Sequence, residues 1–585
     1  MSQQPLNVLD GFWNQVRARK DNVALGQKKN GSWETWSWTL VGEKVAQMAT
    51  AFKNAGLKPG DKVAIFSENT PEWIITDFAA MAAGLVTVPL YATQTDSQVQ
   101  YIIEHSETKL AVARGKAKIQ KLLNLTGLLK IVEIDDLTGS FMSHPKVTPF
   151  EEFLKTGDKN WEKLAPAAKN IDLNSLATIV YTSGTTANPK GVMLTHQNHI
   201  AQSEMIGTRT YRTADDIIMS YLPLSHITER INIYRQAVTG YAVYTLPVID
   251  TVANDLKEIR PTSFVAVPRV WEKFQEAIQA RVQQAPPARQ RIFAKALAIG
   301  RKHYEETRKN GKASFMVNLR FKILQRLVGK KLKAAMGFDR CKFFISGAAP
   351  LSPETSIFFY SLGIPIIEGY GLTECAGASH INLVGRPIFG TVGPHLDGLE
   401  CKIAEDGEIL LRGQNVFAGY YKEPAQTAES LINGWLHTGD IGKYDENGCL
   451  RITDRKKNII VTSGGKNVAP APLEAKLKNH RVISQVLVIG DKRKYLTALI
   501  TLNPGVSKND AEAQITAHLA ALNATLPSYE TIKKFAILDK DFTVESGELT
   551  PTMKAKRGFI QEKYKSLIDG LYQQDAKANA FEVNV

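Results

Sequence analysis

The length, composition and charge of this chain indicate a globular protein of several domains. Its 585 residues exceed what a single hydrophobic core supports, so two or more domains are expected. An apolar share of 44% with 22% charged residues excludes a disordered chain. The four cysteines form no CxxC pair, which argues against a disulfide framework or a cysteine zinc site and favours a reducing cytosol.

The opening residues and the longest apolar run both argue against insertion into a membrane. The start, MSQQPLNVLDGFW, has no basic stretch followed by an apolar one, so no secretory signal is expected. The run over residues 73–92 contains Asp77, Gly84 and Pro89, which favours a buried helix followed by a strand. The predicted location is the cytoplasm.

Apolar runs typical of strands alternate with helical stretches through the first part of the chain. The runs cover residues 62–67, 86–91, 110–115, 130–135, 178–183 and 341–346. This alternation predicts an α/β fold with mostly parallel sheets. From about residue 390, short strands and Gly/Asn turns predict antiparallel hairpins.

The net charge of +14 is concentrated in one segment. Between Arg281 and Arg340 there are 16 Lys and Arg residues against three acidic ones. Four apolar residues there have helical spacing and are expected to share one face: Leu319, Ile323, Leu327 and Leu332. The pattern favours a surface helical hairpin docked on a core, with attachment to an anionic membrane as the alternative. A nucleic-acid site is disfavoured because the charge collects in one amphipathic segment without interleaved aromatic residues.

A second pattern begins after Asp454, which predicts a domain boundary near 454–457. A helix near 472–479 and two strand-like runs, VISQVLVIG and LTALITLN, follow this point. The chain then reaches a basic stretch, LTPTMKAKR, at 549–557. These elements predict a small C-terminal α+β domain.

The loop YTSGTTANPKG at 181–191 has the composition of an anion-binding turn. It does not match the Walker order GxxxxGK[ST], because Lys190 precedes Gly191 and the hydroxyl residues precede the lysine. Its glycines free the backbone to present N–H groups, and Lys190 adds a positive charge. A Ser/Thr/Gly turn in isolation is more often structural.

The loop does not stand alone. It resembles the signature loop of the AMP-forming adenylating enzymes, the superfamily of acyl-CoA synthetases, firefly luciferase and peptide-synthetase adenylation domains. Similar motifs follow in the family's order: YLPLSHITER (221–230), SGAAPL (346–351), GYGLTE (369–374), GEILLRG (407–413), GWLHTGD (434–440) and DRKKNIIVTSGGKNV (454–468). The stretch VPRVWEKF (267–274), the basic insertion after it and LTPTMKAKR resemble the long-chain fatty acid branch.

The resemblance implies a reaction in two steps. A fatty acid carboxylate attacks the α-phosphorus of ATP, giving acyl-AMP and pyrophosphate, and the thiol of coenzyme A then displaces AMP. The implied division is an N-terminal adenylation domain over 1–453, a hinge at 454–457 with Lys457 as its pivot, and a mobile C-terminal domain over 458–585. A fatty acyl-AMP ligase that serves a carrier protein, or a ligase for another carboxylic acid, are the alternatives.

The same resemblance assigns roles to individual residues of the ATP site. Lys190 would hold the departing phosphates, Glu374 would coordinate Mg²⁺, Tyr370 would lie against adenine, and Asp440 would bind the ribose hydroxyls. The remaining residues expected around ATP or AMP are Ser183, Gly184, Thr185, Thr186, Gly347, Ala348, Ala349, Gly371, Thr373 and Arg455. Thr185 is also expected to take part in catalysis, together with Lys190 and Glu374.

The C-terminal domain is expected to supply a catalytic lysine. Family members often end in a pattern like PKTxSGK, whereas this chain reads TPTMKAKR, so counting from Thr552 selects Lys556 with Lys554 as the alternative. Gly464 and Gly465 are expected to border the pantetheine arm of coenzyme A.

The acid pocket and the cellular setting are less defined by sequence. His226 is expected in the carboxylate-binding pocket and Trp271 at the entrance of the acyl tunnel, although a tryptophan among valines is more often a core residue. Under the alternative of membrane attachment, the basic insertion at about 281–340 would bring the enzyme to the inner face of an anionic membrane. Chain length, oligomeric state and the choice between a degradative and a biosynthetic role are not readable from sequence.

Overall fold

The chain folds mainly as parallel sheets connected by helices. The computed structural model describes residues 5–135, 141, 144–182, 188–550, 553–573 and 581–582. Helices α1 to α20 cover, in chain order, Val8–Arg19, Trp38–Asn54, Pro71–Ala82, Asp96–Ser106, Lys116–Leu123, Phe150–Lys155, Trp161–Leu164, His196–Arg209, Ile227–Thr239, Val252–Ile259, Pro268–Gln283, Pro287–Asn310, Phe315–Leu324, Lys330–Met336, Pro353–Ser361, Pro424–Ser430, Pro470–Lys478, Lys508–Asn523, Arg557–Lys563 and Lys565–Leu571. Strands β1 to β27 cover, in chain order, Val23–Lys29, Ser32–Ser37, Lys62–Phe66, Val86–Pro89, Thr108–Ala113, Lys130–Glu133, Val147–Pro149, Leu176–Thr182, Lys190–Thr195, Ile217–Ser220, Ala242–Thr245, Ser263–Ala266, Phe343–Ser346, Ile366–Leu372, Gly377–Ile381, Leu399–Ile403, Glu408–Gly413, Gly419–Tyr420, Leu431–Ile432, Trp435–Tyr444, Leu450–Arg455, Ile460–Val461, Asn467–Val468, Ile483–Ile489, Leu496–Leu502, Ile532–Ile537 and Phe581–Glu582.

Two eight-stranded sheets form the larger part of the molecule. One has the order β15-β14-β13-β12-β10-β11-β1-β2, with β1 and β10 to β14 parallel and the two edge strands antiparallel. The other has the order β18-β9-β8-β4-β3-β5-β6-β7, with its strands parallel from β8 to β7. Near-continuous apolar runs such as Lys62–Phe66 form these strands because both faces are covered. The predicted α/β class is confirmed.

Smaller sheets follow in the second part of the chain. Strands β16, β17, β20, β19 and β21 form an antiparallel sheet, as the Gly/Asn turns predict. Beyond Arg455, strands β24 to β27 form a mixed four-stranded sheet of the C-terminal region, and helix α17 packs against β24.

The basic segment is helical but divides its apolar residues between two faces. Leu319, Ile323 and Leu327 are exposed, whereas Leu332 packs against the core of the first sheet. A π-helical turn at Gln325–Gly329 joins α13 to α14 and shifts the phase of the helix, so the four leucine and isoleucine positions do not stay on one side. Among the described residues, no helix is long and apolar enough to span a membrane.

Candidate active site

A deep cleft opens between the strand ends of the N-terminal part and the C-terminal region. Gly347, Ala348 and Ala349 line it directly after β13, and Lys554 lines it from the C-terminal side. The ends of parallel strands are a frequent position for ligand sites because successive loops meet there. Ala348 has a φ of 70°, a left-handed conformation that is uncommon for a residue with a side chain and is typical of functional loops.

Tyr370, Asp440 and Arg455 form one hydrogen-bonded group on the wall of this cleft. The Tyr370 hydroxyl donates to Asp440 Oδ2 at 2.7 Å, and Arg455 Nε donates to Asp440 Oδ1 at 2.6 Å. Burial lowers the pKa of Arg455, but the charge of Asp440 and its hydrogen bond outweigh this and raise it. Asp440 is nearly buried, so its carboxylate is held in a fixed orientation with lone pairs left for a ligand.

Register explains how these three residues meet. Asp440 on β20 is the direct partner of Arg455 on β21, and Tyr370 lies on β14 at the irregular step of its pairing with β15. Gly371 makes this step feasible because an added Cβ would lie 1.8 Å from the Gly377 carbonyl oxygen. A residue with a side chain at Gly371 would therefore push β14 and β15 apart.

Glu374 and Lys190 are linked by Tyr420, a residue that the sequence analysis did not select. The Tyr420 hydroxyl donates to Glu374 Oε1 at 3.0 Å, and Lys190 Nζ lies 5.1 Å from the centre of the Tyr420 ring. Strand β18 brings Tyr420 there by pairing with β9, in which Tyr420 is opposite Val192. In the sequence, only the glycine before Tyr420 marks this position. The strands β18 and β9 are about 230 residues apart, so their pairing leaves no local pattern.

The loop at 181–191 lies largely outside the described residues. This applies to Ser183, Gly184, Thr185 and Thr186, so their predicted roles stay predictions. The two ends of the loop are described: Thr182 ends β8, Lys190 begins β9, and the two are register partners. Thr182 and Lys190 both line the cleft.

Besides Arg455, two lysines lie within electrostatic range of Glu374 and Asp440, and one of them is Lys554. The Lys554 side chain is exposed toward the cleft, but protein atoms on both walls displace water from around it. This desolvation, followed by repulsion from Arg455, lowers the pKa of Lys554 to about 8. The other is Lys457, whose pKa is lowered first by burial and then by Arg455.

Lys554 and Lys556 differ in surroundings although both border the cleft. Lys554 follows a tight turn in which its N–H donates to Thr550 Oγ1, and Ala555 next to it bridges Leu549. Lys556 is the residue before α19, and its N–H donates to the Glu548 carbonyl oxygen at 2.7 Å. Lys554 is the one whose charge interacts with Glu374 and Asp440.

His226 stands at the start of α9 and faces the cleft. Its Nδ1 accepts a hydrogen bond from the Thr228 N–H at 3.1 Å, so the ring proton belongs on Nε2. Burial, and then the charge of Lys554, lower the pKa of His226 to about 3, which keeps the ring neutral. Helix α9 is anchored by the fully buried Arg230, which donates to Asp77 at 2.6 Å.

Trp271 occupies a different environment from the one expected of a tunnel gate. It is fully buried among aromatic rings, with Phe359 at 5.3 Å and Phe264 at 5.4 Å between ring centres. Trp271 is not among the described residues that line the cleft, whereas Glu272 after it is. In this structure Trp271 is a packing residue, and its contact with an acid stays a prediction.

Gly464 and Gly465 lie away from the cleft in this arrangement of the domains. They belong to the turn between β22 and β23, and an added Cβ at Gly465 would meet open space. Neither glycine is among the cleft-lining residues of the described chain. The predicted hinge at 454–457 stays a prediction. Within it, Lys456 Nζ donates hydrogen bonds to Asp406 and Glu408 of the N-terminal part at 2.6 and 3.2 Å.

Thr373 and Glu374 follow β14 in a short 3-10 turn, with Thr373 buried and Glu374 partly open to the cleft. A carboxylate with one oxygen engaged by Tyr420 keeps the other for a hard cation, so Glu374 suits Mg²⁺. The described residues hold no group of three His, Cys, Asp or Glu side chains fit for a metal. One carboxylate is sufficient where phosphate oxygens and water complete the coordination.

Comparison with known families identifies the family to which this chain belongs. The family model described as AMP-binding enzyme matches residues 12–421, and the model of the AMP-binding enzyme C-terminal domain matches residues 457–576. The chain belongs to the AMP-binding enzyme family. The cleft is lined from both matched regions, for example by Gly347 from the first and Lys554 from the second.

Curated relatives specify the branch of this AMP-binding enzyme. The Long-chain-fatty-acid–CoA ligase FadD15 of Mycobacterium bovis is 34% identical, and the alignment covers 97% of each chain. The Long-chain-fatty-acid–CoA ligase ACSBG2 of Homo sapiens is 30% identical over 97% of this chain and 93% of that one. The chain therefore falls in the long-chain fatty acid branch, which confirms the resemblance found in its motifs.

Solved structures agree with the fold. The anthranilate CoA ligase AuaEII in complex with anthranoyl-AMP has a TM-score of 0.76 at 18% identity, with 97% of this chain and 99% of that chain covered. ATP-bound MatB from Rhodopseudomonas palustris has a TM-score of 0.74 at 22% identity, with 96% and 99% covered. At these identities the likeness establishes the shared architecture.

Proposed function

We propose that this AMP-binding enzyme is a long-chain fatty acid–CoA ligase. It would join a fatty acid to the α-phosphate of ATP with release of pyrophosphate, and then transfer the acyl group from AMP to the thiol of coenzyme A. The observation that carries the proposal is the meeting of Glu374 and Asp440 with Arg455 and Lys554 in one cleft. A carboxylate and a triphosphate repel each other, so catalysis of their reaction depends on cations fixed in advance.

The nucleotide would lie along the wall formed by β13, β14 and β20. Asp440 would accept hydrogen bonds from the ribose hydroxyls while Tyr370 and Arg455 hold its orientation. The Tyr370 ring and the backbone at Gly347–Ala349 would border adenine. Lys190, with the hydroxyls of the loop that precedes it, would hold the β- and γ-phosphates as pyrophosphate departs.

Glu374 would hold Mg²⁺, which would neutralise phosphate charge when bound. Tyr420 would position this carboxylate, since its hydroxyl donates to Glu374 Oε1 and its ring also faces Lys190. Loss of the Tyr420 hydroxyl would release Glu374 from this contact, while the ring would still face Lys190.

We assign the role of the C-terminal lysine to Lys554 instead of Lys556. Its ammonium is the C-terminal cation within range of Glu374, Asp440 and His226, and it would stabilise the negative charge of the acid and the α-phosphate in the transition state. The neutral His226, with its proton on Nε2, would donate a hydrogen bond to an oxygen of the acid or of the acyl phosphate.

The second step needs other surroundings at the same centre. Rotation of the C-terminal domain about Lys457 would withdraw Lys554 and bring Gly464 and Gly465 to the cleft, where the absence of side chains would let the pantetheine arm pass. The position of the two glycines outside the cleft in this structure fits the first step.

The experiment that tests the activity measures pyrophosphate release and thioester formation over acids from two to twenty carbons, with and without coenzyme A. We expect release to be fastest with long-chain acids and thioester to form only when coenzyme A is present. Pyrophosphate release with no thioester would favour an acyl-AMP ligase that serves a carrier protein. Release with short or aromatic acids alone would replace the substrate class.

We also propose that the enzyme contacts anionic membranes through the outer face of α13 and the adjoining π-turn. This face, called the apolar stripe below, consists of Phe315, Met316, Leu319, Ile323 and Leu327, with exposed fractions of 43% to 78%. Among the described Lys and Arg residues of 281–340, Lys302 is the one in an ion pair, with Glu306, while Asp339 of the segment pairs with Arg260 outside it. Unpaired cations beside an apolar stripe suit a surface of anionic lipid, from which a long-chain acid can enter.

Vesicle flotation tests the membrane contact. Exchange of Leu319, Ile323 and Leu327 for Gln should lower binding to phosphatidylglycerol vesicles about tenfold, since the apolar area available for insertion is lost. A matched control exchanges three exposed apolar residues elsewhere, Leu129, Val384 and Ile432, and should bind like the parent. Equal binding of parent and stripe variant would overturn the contact.

A further inference from the structure

The interface between the two domains is polar. The hydrophobic clusters of the described residues belong either to the region before 455 or to the region after 459, and none contains side chains from both. The domains instead meet through side chains such as Asn479, whose amide donates to Glu354 Oε2 at 3.2 Å. An interface without an apolar core has a low cost of separation, so individual polar contacts can decide which orientation is populated.

Arg269 is at the centre of this interface. It lies on the first turn of α11, which is fixed to the core by the fully buried Trp271. Its guanidinium Nη2 donates to Ser484 Oγ at 2.9 Å and lies 3.7 Å from Asp541 Oδ2, and both partners belong to the C-terminal domain. The side chain is 12% exposed, so the contact is largely shielded from solvent.

The C-terminal partner is a preorganised carboxylate. Asp541 accepts from Ser484 Oγ at 2.6 Å, from Thr501 Oγ1 at 2.5 Å and from the Phe542 N–H at 2.9 Å. Ser484 and Thr501 lie on β24 and β25, so the acceptor is built into the sheet of the C-terminal domain. A carboxylate with this many donors keeps its position when the domain moves, and it would offer the same site each time the domain returns.

Arg269 also separates carboxylates that would otherwise face one another. Its Nη1 lies 3.7 Å from both Glu272 and Glu276 on its own helix, while Nη2 faces Asp541. Lys478 lies 3.7 Å from Glu272, which leaves Glu276 as the acid that depends most on Arg269. Burial, with Asp541 and Glu272 as further contributors, raises the pKa of Glu276. Without the guanidinium, like charges would lie on both sides of the interface.

We propose that Arg269 is a positioning residue that latches the C-terminal domain in the orientation that brings Lys554 into the cleft. The inference rests on the proposed ligase activity. The latch and the entry of Lys554 occur in the same arrangement, in which Gly464 and Gly465 stand outside the cleft. Arg269 therefore supports acyl-AMP formation, and its contacts must break before coenzyme A reacts.

Separate measurement of the two half-reactions tests the latch. Acyl-AMP formation is followed as pyrophosphate release from acid and ATP without coenzyme A, and thioester formation is followed from synthetic acyl-AMP and coenzyme A. Arg269→Ala should slow the first about tenfold, the size expected when a charged hydrogen bond is lost, and leave the second unchanged or faster. Removal of one facing acid should recover part of the loss, so Arg269→Ala with Glu276→Gln should be faster in the first half-reaction than Arg269→Ala alone.

Controls separate a latch from a general structural role. Lys257→Ala removes an exposed lysine of the same domain and should change neither half-reaction. Arg269→Lys keeps the positive charge but loses the forked guanidinium, so it should give a smaller loss that is confined to the first half-reaction. This variant tests the latch even if Arg269→Ala does not fold. Equal loss in both half-reactions, or no loss in either, would overturn the latch. A parent enzyme that releases no pyrophosphate with any acid would instead overturn the proposed function.

Discussion

The two walls of the cleft are built differently. On the N-terminal wall, Asp440 is held by Tyr370 and Arg455 at 2.7 and 2.6 Å, and Glu374 by Tyr420 at 3.0 Å. On the C-terminal wall, the Lys554 ammonium makes no hydrogen bond or ion pair with any described residue, although its charge interacts with both carboxylates. The carboxylates of one wall are thus held by hydrogen bonds, whereas the ammonium of Lys554 on the other wall is held by no such bond among the described residues.

This difference matches the needs of two reactions at one centre. A nucleotide site that serves both steps gains from rigid hydrogen bonds, because the ligand then does not have to order its partners. A lysine that serves one step must enter and withdraw, so strong bonds to the opposite wall would trap it. The latch proposed at Arg269 would supply orientation without such a bond at the reacting atoms.

The largest expected effect comes from removing the ammonium of Lys554. Lys554→Ala should slow pyrophosphate release in the absence of coenzyme A about 10²- to 10³-fold, the usual cost of losing one preorganised donor to transition-state charge. Lys556→Ala should have a much smaller effect, since Lys554 is the lysine assigned to the interaction with Glu374 and Asp440. Thioester formation from synthetic acyl-AMP should persist in both variants. A greater loss in Lys556→Ala would return the assignment to Lys556.

A smaller effect is expected from loosening the rigid wall. Tyr370→Phe deletes the hydroxyl that orients Asp440, so the KM for ATP should rise about tenfold with less change in kcat. Tyr444→Phe is the matched control, since its hydroxyl is hydrogen-bonded to His380 outside the cleft. An unchanged KM for ATP in Tyr370→Phe would mean that Asp440 does not need this bond.

The smallest expected effect is a shift in the pKa of Lys554, which can be measured without an activity assay. Lys554 has a pKa of about 8 in the ligand-free enzyme because its surroundings disfavour the charged form. Raising the pH through about 8 should therefore deprotonate Lys554 while exposed lysines keep their protons. The ¹³C signal of reductively methylated Lys554, assigned with the Lys554→Arg variant, should report this midpoint, and bound ATP should raise it. A midpoint near that of the exposed lysines would show that the cleft does not desolvate Lys554.

Local patterns predicted much of the fold and the wall of the cleft. The α/β class follows from apolar runs such as Lys62–Phe66, and the positions of Tyr370, Glu374 and Asp440 follow from motifs that each lie on one strand or turn. Tyr420 was not predicted because it reaches Lys190 through pairing of β18 with β9, a contact between distant segments. The exposure of Leu319, Ile323 and Leu327 was not predicted either, since helical spacing shows which residues share a face but not whether that face meets the core.

The sequence by itself determined the family, the order of the domains and the chemical types around the nucleotide, because each of these is written in residues close together along the chain. Only the tertiary structure decided that Lys554 faces Asp440 and Glu374, and that Arg269 meets Ser484 and Asp541 across the interface. Strand alternation does not separate Lys554 from Lys556, because residues two positions apart share a face and both border the cleft; the orientation of the whole domain sets which ammonium approaches the carboxylates. Contacts between domains depend on that orientation, and no local pattern encodes it.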